Sequence, residues 1–164
     1  MNVNFFFLLL PTSDSTSKYV THLKTVVKKI IGHSFESFHS IAHLTLFQYF
    51  DFHNESKLYE YEEIVSRVKQ FEISLRNFNA FDRSGTIYLD IEKTDDVCYL
   101  ANLLGHRITP HITIAKNLSK QDFDRAWNEF KKRTYSCRFI CKDVKVLKRS
   151  SNRWVEHTYL PLRK

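Results

Sequence analysis

The chain has little of what loosens or staples a fold: 3 glycines, 3 prolines and 3 cysteines in 164 residues. That scarcity of Gly and Pro excludes a linker-like, collagen-like or low-complexity chain. The cysteines, Cys98, Cys137 and Cys141, are odd in number, and no Cys/His cluster has the two-residue spacing of a zinc knuckle or ribbon. A reducing cytoplasm is therefore the expected home, and no metal is expected. Long apolar runs are missing too. The longest, Phe5 to Leu10, is short, has no basic segment before it and ends in Pro11. It reads as a buried first strand instead of a signal-peptide core. Nothing approaches the roughly twenty apolar residues of a membrane-spanning helix, so no membrane association is expected.

What is present is a core-forming composition. Hydrophobic residues make up 43% of the chain and aromatics 15%, with 14 Phe, which suffices for one compact domain over residues 1–164, expected to act as a monomer. Lys and Arg number 25 against 18 Asp and Glu, a formal charge of +7. That balance favours polyanionic ligands, although lysines dispersed on solvated helices give the same total.

Periodicity then divides the chain. Apolar residues at Tyr19, Val20, Leu23, Val26, Val27, Ile30 and Ile31 predict a helix over 17–31, capped by Ser13, Asp14 or Ser15, with Lys24, Lys28 and Lys29 in water. A strand is expected over 41–50, a helix over 56–70, and strands over 71–81 and 86–92 joined by the turn Asp82-Arg83-Ser84-Gly85. A shorter helix fits between Asp95 and Gly105. A strand over 111–118 follows, then a helix over 119–133 with Ser119 as N-cap, and two closing strands around 149–153.

Two strand segments repeat one another: Ala42-His43-Leu44-Thr45-Leu46 and Pro110-His111-Ile112-Thr113-Ile114. Side chains alternate along a strand, so His43 and Thr45 share one face, as do His111 and Thr113, while the apolar residues share the other. A single histidine before an apolar strand is usually structural. Two matched copies, one in each half, point to a duplicated unit with a site on its pseudo-twofold axis. Two imidazoles and two hydroxyls around one spot suit a phosphodiester: one imidazole takes a proton, the other gives one, and the threonines hydrogen-bond the non-bridging oxygens. Phe47 and Tyr49, on the His43 face if alternation holds, would stack a base. Lys116 would supply charge near phosphate, provided that the strand ends or bulges before it, and Tyr159 is a further candidate contact.

With these motifs, the opening Val3-Asn4-Phe5-Phe6-Phe7-Leu8-Leu9-Leu10-Pro11, the basic Lys116 and the closing Tyr159-Leu160-Pro161-Leu162, the chain resembles the 2H phosphoesterases. That family includes bacterial RNA 2',3'-cyclic phosphodiesterases and RNA ligase-like proteins. The resemblance implies an α+β fold: two pseudo-symmetric lobes of antiparallel sheet, helices on the outer faces, and a central groove carrying both His-x-Thr motifs. It implies metal-independent phosphodiesterase chemistry without a cofactor, on an RNA end, an oligonucleotide or a cyclic nucleotide carrying a 2',3'-cyclic phosphate or a 2'-5' linkage. It assigns His111 as base and His43 as acid, roles that the residues alone leave interchangeable, and Thr45 and Thr113 as phosphate binders. A nucleotide- or RNA-binding module that keeps the groove without turnover is the alternative. A generic RNA-binding α+β domain would explain the charge but leave the paired motifs accidental.

Overall fold

The computed structural model describes residues 3–11, 14–51 and 56–164. Four α-helices and eight strands follow along the described residues: β1 (Val3–Leu9), α1 (Asp14–Ile31), β2 (Leu44–Asp51), α2 (Lys57–Arg67), β3 (Phe71–Phe81), β4 (Thr86–Ile91), α3 (Asp95–Leu103), β5 (His111–Ala115), α4 (Lys120–Phe130), β6 (Ser136–Cys141), β7 (Asp143–Ser150) and β8 (Arg153–Pro161). The strands form one sheet in the order β6-β3-β4-β5-β2-β1-β7-β8, and every neighbouring pair is antiparallel. No helix of the described residues is long and apolar enough to cross a membrane.

The sheet consists of two four-stranded halves that mirror one another about the β2/β5 junction. In each half a strand, a helix and a His-x-Thr strand follow in sequence: β1-α1-β2 in one, β4-α3-β5 in the other. The halves are held together along the sheet by a single bridge, Leu44 to Ile112. All four helices contribute to one core against one face of this sheet, with Val20, Leu23 and Val27 of α1, Phe123 and Phe130 of α4, and Leu44, Leu46, Ile112 and Ile114 of the histidine strands all buried in it. The opposite face of the central strands is the groove.

Several element boundaries differ from the sequence expectation, each for a local reason. The Ser13 cap falls outside the described residues, and α1 begins at Asp14. β5 stops at Ala115, two residues before Asn117, whose φ of 56° is left-handed and turns the chain toward α4. Ser119 caps α4 as expected, its hydroxyl accepting from the Asp122 amide at 3.2 Å. The segment after Ser136 forms three strands, not two: only Lys142 separates β6, at one outer edge, from β7 in the other half. Backbone bonds from Leu162 to Lys142 (2.9 Å), Arg163 to Val68 (2.8 Å) and Gln70 to Arg163 (2.8 Å) tie that crossing in place.

Lys24 also departs from expectation. It lies in the same stripe of α1 as Val20, Leu23 and Val27 and is 2% exposed. Its ammonium donates to the Ser37 carbonyl (2.6 Å), the Ser40 carbonyl (2.7 Å) and the Ser40 hydroxyl (2.6 Å), so the buried charge is fully bonded.

The β3–β4 turn depends on Gly85, whose φ is +57°; a β-carbon built there would lie 2.3 Å from the Leu118 carbonyl oxygen. That oxygen is backbone and cannot move aside. Gly85→Ala is expected to destabilise the protein by at least about 2 kcal/mol, read as a lower urea midpoint at unchanged slope.

Candidate active site

The single bridge sets the geometry of the groove. With Leu44 opposite Ile112, the antiparallel register brings His43 across from Thr113 and Thr45 across from His111, all on the face away from the helices. Each motif ends in the same irregularity. In β2, Leu8 pairs with Thr45 and Phe7 with Phe47, leaving Leu46 as an extra residue. In β5, Tyr88 pairs with Thr113 and Ile87 with Ala115, leaving Ile114 as an extra residue. Both are β-bulges at the fourth position of the repeated motif, and each turns the strand after its threonine.

The imidazoles are held alike. His43 Nδ1 donates to the Ile41 carbonyl at 2.8 Å, and His111 Nδ1 donates to the Thr109 carbonyl at 2.7 Å, in each case two residues back. A carbonyl only accepts, so the neutral tautomer carries its proton on Nδ1 and leaves Nε2 bare. No described residue engages either Nε2 atom. An aromatic edge steadies each ring: Phe6 lies 5.6 Å from His43 at 82°, and Phe81 lies 5.2 Å from His111 at 88°. Tyr88, 4% exposed, is also 5.1 Å from His111.

Burial holds the His43 imidazole below its ordinary value; the Ile41 hydrogen bond opposes this, and the charges of Lys24, His111 and Lys116 push it further down. Lys24 is itself lowered to about 8 by burial. Its bonds to Ser37 and Ser40 fix the segment whose Ile41 carbonyl orients His43.

The bulges redistribute the other expected contacts. After Leu46 the alternation resets, so Phe47 and Tyr49 point to the helix face and not to the groove. Phe47 is 5% exposed, stacked on Phe7 at 4.3 Å and on His106 at 4.2 Å, while Tyr49 packs on Tyr61 at 5.7 Å. Neither is placed to stack a base in the groove. The equivalent bulge at Ile114 works the other way for Lys116, bringing it to the same parity as His111 and Thr113. There its ammonium pairs with Glu36 at 2.8 Å, and Asn117 donates to the same carboxylate. Tyr159 is 43% exposed and lies opposite Lys145, which is opposite Leu8 and then Thr45, so it sits on the groove face three strands beyond β2. Its ring takes the Lys145 ammonium at 5.1 Å.

Phe6, Phe81 and Lys24 were not singled out from the sequence. Phe6 alternates with Leu8 in β1, a signal that was legible; Phe81 and Lys24 reach the site only through tertiary packing. Among the described residues no three His, Cys, Asp or Glu side chains gather as a metal site requires.

Comparison with known proteins places the family and the fold. A model of the 2'-5' RNA ligase superfamily matches residues 12–153. Escherichia coli LigT in apo form superposes with a TM-score of 0.67 at 15% identity, over 100% of this chain and 99% of LigT. The Thermus thermophilus protein TT0787 gives 0.68 at 16% identity, over 98% of both chains. Kluyveromyces marxianus Usb1 gives 0.56 at 18% identity, again over 98% of both. LigT complexed with phosphate, 3'-AMP, ATP and NADP+ is similar as well. No curated protein matches the chain.

Lys24 yields a test of this electrostatic picture. Its folded-state value of about 8 lies below the unfolded value of 10.5, so between these pH values the unfolded chain binds the extra proton. Its contribution to stability is expected to rise as pH increases from about 8 to 10.5 and to be flat below 8. The difference between wild type and Lys24→Met in urea melts across that window reads it directly.

Proposed function

The chain belongs to the 2'-5' RNA ligase superfamily, and from that premise we propose that residues 1–164 act as one unit, a metal-independent phosphodiesterase. Its substrate is a 2',3'-cyclic phosphate or a 2'-5' phosphodiester in RNA or a nucleotide. The observation that carries this reading is the matched pinning of both Nδ1 atoms, which leaves two Nε2 atoms available on either side of one groove. LigT's complexes with phosphate and 3'-AMP support a phosphate-bearing ligand for this fold.

The roles proposed here run opposite to those that the resemblance implies, because burial lowers the proton affinity of His43. An imidazole that stays neutral at neutral pH is the base, so His43 Nε2 takes a proton from the attacking water, and its oxygen forms the new bond to phosphorus. The bond from phosphorus to a ribose oxygen breaks, and that oxygen receives the proton from His111 Nε2. Thr45 and Thr113 donate to the non-bridging oxygens, and Lys116, paired with Glu36, lies beside them. His43 then releases its proton to water and His111 takes one up, returning both imidazoles to their starting states.

Each of His43→Ala and His111→Ala is expected to lower turnover of the right substrate by roughly 10²- to 10⁴-fold with the fold retained, and the double variant to be little worse than the worse single one. Turnover should persist in EDTA. The rate should follow a bell-shaped pH curve whose acidic limb lies below the ordinary histidine value of about 6.5, because protonating His43 removes the base; His43→Ala should abolish that limb. A panel of 2',3'-cyclic mononucleotides, cyclic-phosphate-ended RNA and 2'-5' oligoadenylates tests the whole reading. Full activity in both folded histidine variants, or no turnover of any substrate in the panel, would contradict it.

A further inference from the structure

The groove is asymmetric in charge although it is symmetric in fold. On the His111 half, β3 and β4 present Asn79, Phe81, Tyr88 and Asp90 to the groove, with Asn79 bonded to Asp90 at 3.2 Å. The cations further out on that half are neutralised: Arg76 is paired with Glu92 at 2.5 Å and Arg138 with Glu72 at 3.7 Å.

The His43 half differs. Following the register outward from Phe6, Leu147 lies opposite it on β7 and Glu156 opposite Leu147 on β8. Two residues along, Arg149 lies opposite Trp154 on the same face. The Trp154 ring is 5.4 Å from Phe6, which itself abuts His43, and the Arg149 guanidinium sits over the indole at 5.4 Å. Trp154 is half-buried and Arg149 exposed, and neither Arg149 nor Arg153 at the hairpin tip has an acidic partner among the described residues. An aromatic ring with an unneutralised guanidinium over it offers a nucleobase a surface to stack on and its phosphate a cation.

We infer that the groove takes the end of an RNA chain, and that the body of the chain leaves over the His43 half, with a nucleobase on Trp154 and a phosphate beside Arg149. This rests on the phosphodiesterase reading and adds a direction and a preference for oligomers over mononucleotides to it. The His111 half, with Asp90 presented to the groove and Arg76 and Arg138 paired with carboxylates, holds only the terminal nucleoside.

The test is binding, which needs no turnover. The probes are 3'-AMP and a 3'-phosphorylated oligoadenylate of about six nucleotides, within the usual span of a single-strand site. The intrinsic fluorescence of Trp154 is isolated by Trp127→Phe, since Trp127 lies on α4. The oligomer is expected to bind about tenfold to hundredfold more tightly than 3'-AMP and to quench Trp154. Trp154→Ala should bring the affinity ratio close to one, and Trp154→Phe should restore most of it. Arg149→Glu, an exposed change, should lower the ratio and flatten the salt dependence of oligomer binding. Equal affinity for the two probes, or a ratio that survives both Trp154→Ala and Arg149→Glu, overturns the inference. If cyclic mononucleotides are hydrolysed but no length preference exists, only this inference fails. If the length preference holds but nothing is hydrolysed, only the catalytic reading fails.

Discussion

One backbone bridge, Leu44 to Ile112, is all that joins the two halves of the sheet along their central strands. Its consequence is that the halves meet closely at one residue pair and part on either side of it. His43, Thr45, His111 and Thr113 are the immediate neighbours of that pair, so the four polar side chains collect where the sheet opens. Had the strands paired along their full length, the cross-strand spacing would be filled by side chains as in any sheet, and no groove would remain. Leu44 and Ile112 face the opposite way and are wholly buried under the helices. The same register that opens the polar site therefore closes the apolar core.

The bulges at Leu46 and Ile114 make this compatible with burial. A strand that alternated throughout would place every second residue after the threonine in the groove. The extra residue instead sends Phe47 and Ala115 to the core and returns Gln48 and Lys116 to the other face. The paired motif thus has four distinct structural positions: a histidine, a core residue, a threonine and a bulge. Lys24 adds the other constraint on position. Its bonds to Ser37 and Ser40 fix the approach to β2 at the cost of burying a charge, and that charge in turn helps to keep His43 neutral. Lys24 thus steadies the approach to His43 and adds to the burial that lowers its proton affinity.

Much of this was legible in the sequence, and the parts that were not share a cause. The alternation of apolar and polar residues around His43 and His111 was enough to assign faces within each motif, because the period of two holds over those few residues. It failed for Phe47 and Tyr49 because a bulge leaves no reliable compositional mark: Leu46 and Ile114 are ordinary strand residues. Lys116 was legible only as a conditional reading that hinged on a bulge. Lys24 was read as solvated because lysines usually are; the carbonyls that accept its protons lie 13 to 16 residues away in an irregular segment. The splitting of the C-terminal region into β6, β7 and β8 was missed because a lone Lys142 gives no turn signal between strands that lie in different halves of the sheet.

The central claim is that His43 is a neutral base and His111 its acid partner around one phosphate. Long-range ¹H–¹⁵N correlation spectra of histidine-labelled protein, recorded across pH and with added 3'-AMP, test it most directly. The account predicts that His43 carries its proton on Nδ1, titrates below about 6.5 and shifts together with His111 on ligand binding. A His43 protonated on Nε2 when neutral, or a ligand response confined to one of the two imidazoles, would contradict it.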